Sequence, residues 1–378
     1  MEVYLDNNAT TRPTTGVIEA CLAALRDLSA NPSSPHALGV AARRQVERVR
    51  QDVAEFLGAS SPSEIVFTSG ATESIGLAVN SALADSDGSL ATSAVEHAAM
   101  LHCAQSREKL GGKVAVIGVD SHGSLRLEEL EEALLWQPRL VSVLLANNET
   151  GVLFDISAIG RLCRRGSSLL HIDAAQAIGR TRVDVNELGC DYLSFSAHKF
   201  HGPKGIGVLY VRSGAPRLPM LPGHQESGLR AGTENVIGIL GLGAAIADLA
   251  NWEQRCQEIK ALRDQLEFNI LTAISEAQVN GGHDSRVCNT TSIYFPSRNA
   301  ADLVERLSRR GIYVSASAAC TTGGEPSHVL QAMGFGRERA NASLRFSLSR
   351  LTTSAEVRVA CQAVADVFAE APPVVAIH

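Results

Sequence analysis

Between residues 65 and 211, short runs of apolar side chains alternate with stretches of helical spacing, and this alternation is the strongest pattern in the chain. The runs are residues 65–68, 114–119, 140–146, 169–172, 192–196 and 207–211. Most are continuously apolar, as expected of strands buried on both faces. Helical spacing precedes and separates them. Over residues 41–57, Val46, Val49, Val53 and Phe56 share one face, and Gly58 can close the helix. A second helix is expected over 73–83, after Gly70, and a third where Leu127, Leu130 and Leu134 recur. Strands alternating with helices predict an α/β domain with a mostly parallel sheet.

After about residue 250 the texture changes. Long helical stretches dominate, with strands expected over 289–295, 312–314 and 343–348. A helix over 301–310 should stop at Gly311, and another over 353–369 opens with Thr353 and Glu356 at capping-box spacing. This predicts a second, smaller α+β domain. No internal repeat, coiled coil or low-complexity tract interrupts either part.

Composition narrows the classes. With 45% hydrophobic and 20% charged residues and a net charge of −6, the 378-residue chain reads as globular. No basic patch marks a nucleic-acid partner, and no run is long and apolar enough to span a bilayer. The first eight residues lack the basic head and apolar core of a secretion signal, so a cytoplasmic location is expected. The eight cysteines, at 21, 103, 163, 190, 256, 288, 320 and 361, form no Cys-x-x-Cys pair. No metal site is expected, and most of these thiols read as small buried apolar groups.

Candidate chemistry sits at the ends of the strands, where open α/β sheets bind ligands. After 65–68 comes Ser-Gly-Ala-Thr-Glu (69–73), either a phosphate cradle at a helix start or a plain cap. After 140–146 comes Asn-Asn-Glu-Thr-Gly (147–151), which can orient a ligand or simply turn. Asp173 follows 169–172, as a buried acid or a helix cap. Ser-Ala-His-Lys (196–199) follows 192–195, and Lys199 is either a surface lysine or a Schiff-base lysine carrying an aldehyde cofactor. Pyridoxal 5'-phosphate (PLP) held on Lys199 also demands an acid for its ring nitrogen and a phosphate cradle, and the chain offers both in order. His198 and His201 suggest a metal, but no third ligand stands nearby in the sequence.

With these blocks in place, the chain resembles the cysteine desulfurases, in the aminotransferase class V branch of PLP enzymes. The resemblance runs from residues 4–11 (Tyr-Leu-Asp-Asn-Asn-Ala-Thr-Thr) to about Arg350. It is carried by residues 67–74, Glu96-His97, 147–149, 171–176, 194–199, 229–233, 319–321, 325–327 and 343–345. It implies a PLP-dependent transferase fold of type I: a large domain (15–250) with a central, mostly parallel seven-stranded sheet, and a small α+β domain (1–14 with 251–378).

The resemblance also implies roles. Lys199 carries PLP, Asp173 pairs with the pyridinium nitrogen, and Gln176 bonds the ring's phenolic oxygen. His97 stacks on the ring and shuttles protons. Ala71, Thr72, Ser196 and His198 hold the phosphate, and Thr233 reaches the phosphate of a partner subunit in a homodimer. Asn148, placed with the cofactor residues, and Arg345 bind the carboxylate of L-cysteine. Cys320 is the nucleophile that takes the sulfur as a persulfide and hands it to an acceptor protein of iron–sulfur assembly, tRNA thiolation or DNA phosphorothioation. The competing readings are a selenocysteine lyase or another class V PLP enzyme, and a non-catalytic sulfur-transfer scaffold. The sequence departs from the family at Ala197, where a glycine is common, over residues 222–228, and in a shorter, less apolar segment 320–325.

Overall fold

A computed structural model describes residues 1–84, 88–282, 285–317 and 326–370. Its strands, in chain order, are β1 (Val3–Tyr4), β2 (Ile65–Thr68), β3 (Leu90–Ser93), β4 (Val114–Ile117), β5 (Leu140–Leu144), β6 (Leu169–Asp173), β7 (Tyr192–Ser196), β8 (Gly207–Val211), β9 (Gln278–Asn280), β10 (Thr290–Tyr294), β11 (Ile312–Tyr313), β12 (Ser315–Ala316) and β13 (Ser343–Ser347).

Seven of these form one sheet in the order β2-β8-β7-β6-β5-β3-β4. Only β8 runs against its neighbours, β2 and β7; every other pair is parallel. Every residue of β5, Leu-Val-Ser-Val-Leu, is buried, because helices cover both faces of the sheet. β3 escaped the sequence pattern for a related reason. Its Leu-Ala-Thr-Ser is buried throughout but carries a single large apolar side chain.

The helix Ala37–Leu57 buries Val46, Val49 and Val53 and ends at Gly58 with φ 69°. That left-handed conformation is the one glycine adopts at least cost. The helices Thr15–Asp27 and Ala98–Lys109 were not expected from the sequence. The first buries only Val17 and Ala24, and the second only Met100 and Ala104, so neither shows a strong apolar stripe.

The remaining strands build a second layer. β12-β13-β10-β9 form an antiparallel sheet, and β1 pairs in parallel with β11. Their core joins Ile293, Phe295, Leu344 and Phe346 with Leu266, Leu303 and Val357 from three helices. The helix Ser354–Glu370 opens with the reciprocal bonds of a capping box. Thr353 N–H donates to Glu356 Oε2 (2.7 Å) and Glu356 N–H donates to Thr353 Oγ1 (3.2 Å).

The N-terminal segment straps the two layers together. After β1 it bridges to Ser347 at Asp6 and then crosses to the end of β7, where Thr11 N–H donates to His198 O (2.9 Å). At that same sheet end the backbone passes very close to itself. A Cβ on Gly207 would lie 2.5 Å from Gly70 Cα and 2.8 Å from Phe195 O. Gly207→Ala should therefore cost roughly 1–3 kcal/mol of stability through overpacking. Urea unfolding measures this, and an unchanged midpoint would show that the approach is not tight.

Candidate active site

The carboxyl ends of five strands converge on a cleft of about 480 Å³. The segment after β2 gives Ser69, Gly70, Ala71 and Thr72, that after β3 gives His97, and that after β5 gives Asn148. β6 ends in Asp173, followed by Gln176, and β7 ends in Ser196, followed by His198 and Lys199. Of the sequence-derived site residues, these nine line one space: Ala71, Thr72, His97, Asn148, Asp173, Gln176, Ser196, His198 and Lys199.

One wall is the start of the helix Ala71–Ala82. Its N-cap, Gly70, supplies no side-chain hydrogen bond. The first N–H groups of a helix have no intrahelical acceptor, so this end favours an anion. Glu73, beside it, is tied to Arg230 Nε (2.8 Å) and to the Ser69 N–H (2.9 Å).

Opposite stand the amine and the acid. Lys199 Nζ donates to the carbonyls of Asn8 (2.7 Å) and Ala9 (3.0 Å). Asp173 is 6% exposed, and its Oδ1 accepts the Ala175 N–H at 2.9 Å. Burial raises its pKa, against the attraction of His97 and Lys199. A buried carboxylate at a cleft wall suits a ligand that brings a cation.

His97 is the N-cap of the helix Ala98–Lys109, and its Nδ1 accepts the Ala99 N–H at 3.2 Å. Burial lowers its pKa, so the neutral ring predominates, with its proton on Nε2. Gln176 donates from Nε2 to Asn8 O (3.0 Å), and its Oε1 accepts from Arg180. His198 and His201 both turn to the N-terminal strap. His198 Nδ1 meets Thr10 Oγ1 at 3.1 Å and His201 Nδ1 meets Arg12 O at 2.7 Å. Ala197 is accommodated because position 202 is glycine, where a Cβ would meet the Ala197 methyl at 2.7 Å. The unusual segment 222–228 is anchored through Glu226, which bonds Arg50 (2.7 Å) and the Phe67 N–H (2.7 Å) of β2.

Two predicted residues, Arg345 and Thr233, lie outside the cleft wall. Arg345 is buried on β13, with Nη2 on Asp6 Oδ1 (2.7 Å) and Nη1 on Asn148 O (3.1 Å). Its Nε is buried with no partner among the described residues. Thr233 is exposed and lines a neighbouring recess that shares Ser69 and Gly205 with the cleft. Cys320 lies outside the described residues.

The structure adds residues to which the sequence assigned no role in the site. Thr10 and Lys204 line the cleft, and Asn8 holds Lys199 and Gln176 from behind. The doubled asparagine at 7–8 was the available signal for Asn8. Glu96, next to His97, is fully buried. Its Oε1 accepts from Ser93 Oγ (2.5 Å) and the Leu144 N–H (3.0 Å), and its Oε2 has no partner among the described residues.

Burial pushes Glu96 up to about 8 from an ordinary 4.5. Between those values the folded chain keeps a proton that the unfolded chain has released, so this carboxyl lowers stability as pH rises, levelling off above pH 8. The stability of Glu96→Gln relative to the parent should therefore improve from pH 5 to pH 8, by roughly 1 kcal/mol or more. Urea unfolding at the two pH values tests this, and a difference independent of pH would contradict it.

Known proteins resemble this chain in sequence and fold. The family model Aminotransferase class-V matches residues 3–359. "Cysteine desulfurase 2" of Trichormus variabilis is 45% identical over 360 residues, covering 94% of this chain and 90% of its own length. A solved structure of a NifS-like protein superposes with a TM-score of 0.90 at 36% identity, covering 98% of this chain and 100% of its own. Another, SspA in complex with cysteine, gives 0.82 at 32% identity, covering 93% and 100%. The chain belongs to the aminotransferase class-V family, among its cysteine desulfurases.

Proposed function

We propose that the cleft holds PLP on Lys199 and that the chain converts L-cysteine to L-alanine, passing the sulfur to Cys320 and then to an acceptor protein. The observation that carries this reading is the buried Asp173 carboxyl, which shares one cleft with a lysine amine and an uncapped helix start. PLP brings a complement to each: a ring nitrogen that takes a proton, an aldehyde and a phosphate.

When bound, PLP supplies an electron sink for bonds at the substrate's α-carbon. The chain's own residues then divide the work. Ala71 and Thr72 hold the phosphate through the helix N-terminus, with Ser196 and His198 beside it. Asp173 keeps the ring nitrogen protonated, and the resulting cation offsets the cost of burying the carboxylate. Of the two Gln176 Nε2 hydrogens, one goes to Asn8 O and the other to the ring's phenolic oxygen. His97, which lines the cleft, stacks on the ring and shuttles protons there. Arg345 and Asn148 take the substrate carboxylate, and the unpartnered Arg345 Nε is a donor for it.

The Cys320 thiolate attacks the substrate sulfur, so that cysteine plus the Cys320 thiol becomes alanine plus a Cys320 persulfide. Thr233, exposed beside the cleft, serves the partner's phosphate in a homodimer. Among the described residues no single helix is long and apolar enough to cross a membrane, and we place the enzyme in the cytoplasm. The acceptor belongs to iron–sulfur assembly, tRNA thiolation or DNA phosphorothioation.

The test is alanine formation from L-cysteine in the presence of a thiol reductant. Lys199→Ala should lose the visible absorption band of lysine-bound PLP and reduce turnover by roughly 10³-fold or more. Cys320→Ala should keep the band and lose sulfur transfer. Parental turnover in Cys320→Ala would contradict the persulfide route.

A further inference from the structure

Two cysteines that this chemistry does not use face one another behind Lys199. Cys256, on the helix Trp252–Ala273, places its Sγ 3.0 Å from that of Cys288, two residues before β10. Both thiols are reduced; Cys288 is 7% exposed and Cys256 is half-buried. In the reduced pair the Cys288 S–H donates to the Cys256 sulfur. Cys256 Sγ also lies 3.4 Å from the carbonyl oxygens of Gly179 and Arg180.

The surroundings make the two sulfurs unequal. The contact between the two sulfurs, with Arg180 and Arg263 nearby, lowers the pKa of Cys288 against the effect of its burial, and the same contact raises that of Cys256. One sulfur favours the thiolate, and its neighbour keeps a proton within reach. This is the arrangement of an attacking and a resolving thiol. A small cavity of about 40 Å³ runs from Lys199 past Arg180 and Asn289 to Trp252, Arg255 and Ile259, the helical turns around Cys256. It is large enough for a molecule little bigger than water.

We propose that Cys256 and Cys288 are a redox pair that closes to a disulfide, with a hydroperoxide as oxidant. The Cys288 sulfur attacks a peroxide oxygen and the O–O bond breaks. With hydrogen peroxide, this leaves a sulfenic acid on Cys288 and releases one water. The Cys256 sulfur then attacks the sulfenic sulfur, the S–O bond breaks, and a second water leaves with the Cys256 proton. Two thiols and one peroxide become a disulfide and two waters. The sulfurs give up two electrons and the peroxide takes them. Closure shortens the sulfur separation from 3.0 Å to about 2.05 Å.

Oxidation would be felt in the cleft. It removes the Cys256 proton beside the Gly179 and Arg180 carbonyls, and Arg180 donates to Gln176 and to Lys199 O (3.1 Å). On the other side, Asn289 follows Cys288 and donates to Asn8 Oδ1 (3.1 Å).

The experiment uses the full-length PLP-loaded protein carrying Cys320→Ser, treated with hydrogen peroxide while folded and then alkylated and digested with trypsin. The expected result is a loss of two free thiols, a peptide of residues 256–260 joined to residues 287–298, and recovery of both thiols with dithiothreitol. Cys256→Ser in the same background should give no such joined peptide and leave Cys288 trapped as sulfenic acid. The pair is not a redox site if both cysteines stay alkylatable while circular dichroism shows a folded protein. The proposal is equally overturned if either cysteine joins a different one, or if the link forms only after unfolding.

Discussion

Asn8 is the point through which the two layers and the cleft are held in one geometry. It is 1% exposed, and each of its polar groups is used. Its carbonyl accepts Lys199 Nζ and Gln176 Nε2, and its N–H donates to Ser347 Oγ at 2.9 Å. Its side chain donates to Asn148 O (3.0 Å) and Thr290 Oγ1 (2.9 Å) and accepts from Asn289. One residue thus touches the segments after β5, β6 and β7 in the large sheet, and β10 and β13 in the small one. In a dry interior an unmade bond costs more than a made one gains, so these groups fix one another. The position of the Lys199 amine follows from that network.

The second constraint is electrostatic. Three carboxyls, Glu96, Glu149 and Asp173, are buried at the carboxyl ends of the strands, and burial raises the pKa of each. Glu149, at about 7, bonds Ser327 Oγ (2.5 Å), and Glu96 bonds Ser93. Among the described residues Asp173, which lines the cleft, takes only a backbone N–H, with His97 and Lys199 nearby. A carboxylate placed this way is unfavourable until a cation arrives. The amine, the helix start and the acid agree on a ligand carrying an aldehyde, a phosphate and a basic ring nitrogen.

The large sheet was legible because β5, β6, β7 and β8 are apolar runs buried on both faces. β3 was not, since small side chains fill its place, and the helix Ala98–Lys109 was not, since its cap is a histidine. In the site, the order of the blocks led to Lys199 and Asp173, because each sits at or just after a strand end, whereas His97 came only from the family resemblance. Contacts between distant segments were beyond reach: Asp6 with Arg345, Asn8 with Lys199, and Glu149 with Ser327. Periodicity describes what one element does with its own faces. It carries no information on which carbonyl a lysine beyond another strand's end will find, or on a helix cysteine meeting one in the segment before a strand.

Two lysines border the cleft, Lys199 and Lys204, and the Asn8 network holds the first. Reduction of the PLP-loaded protein with borohydride, followed by peptide mapping, tests the central claim most directly. The cofactor should be fixed on Lys199 alone. Recovery of the tag on Lys204, or its absence from both, would contradict it.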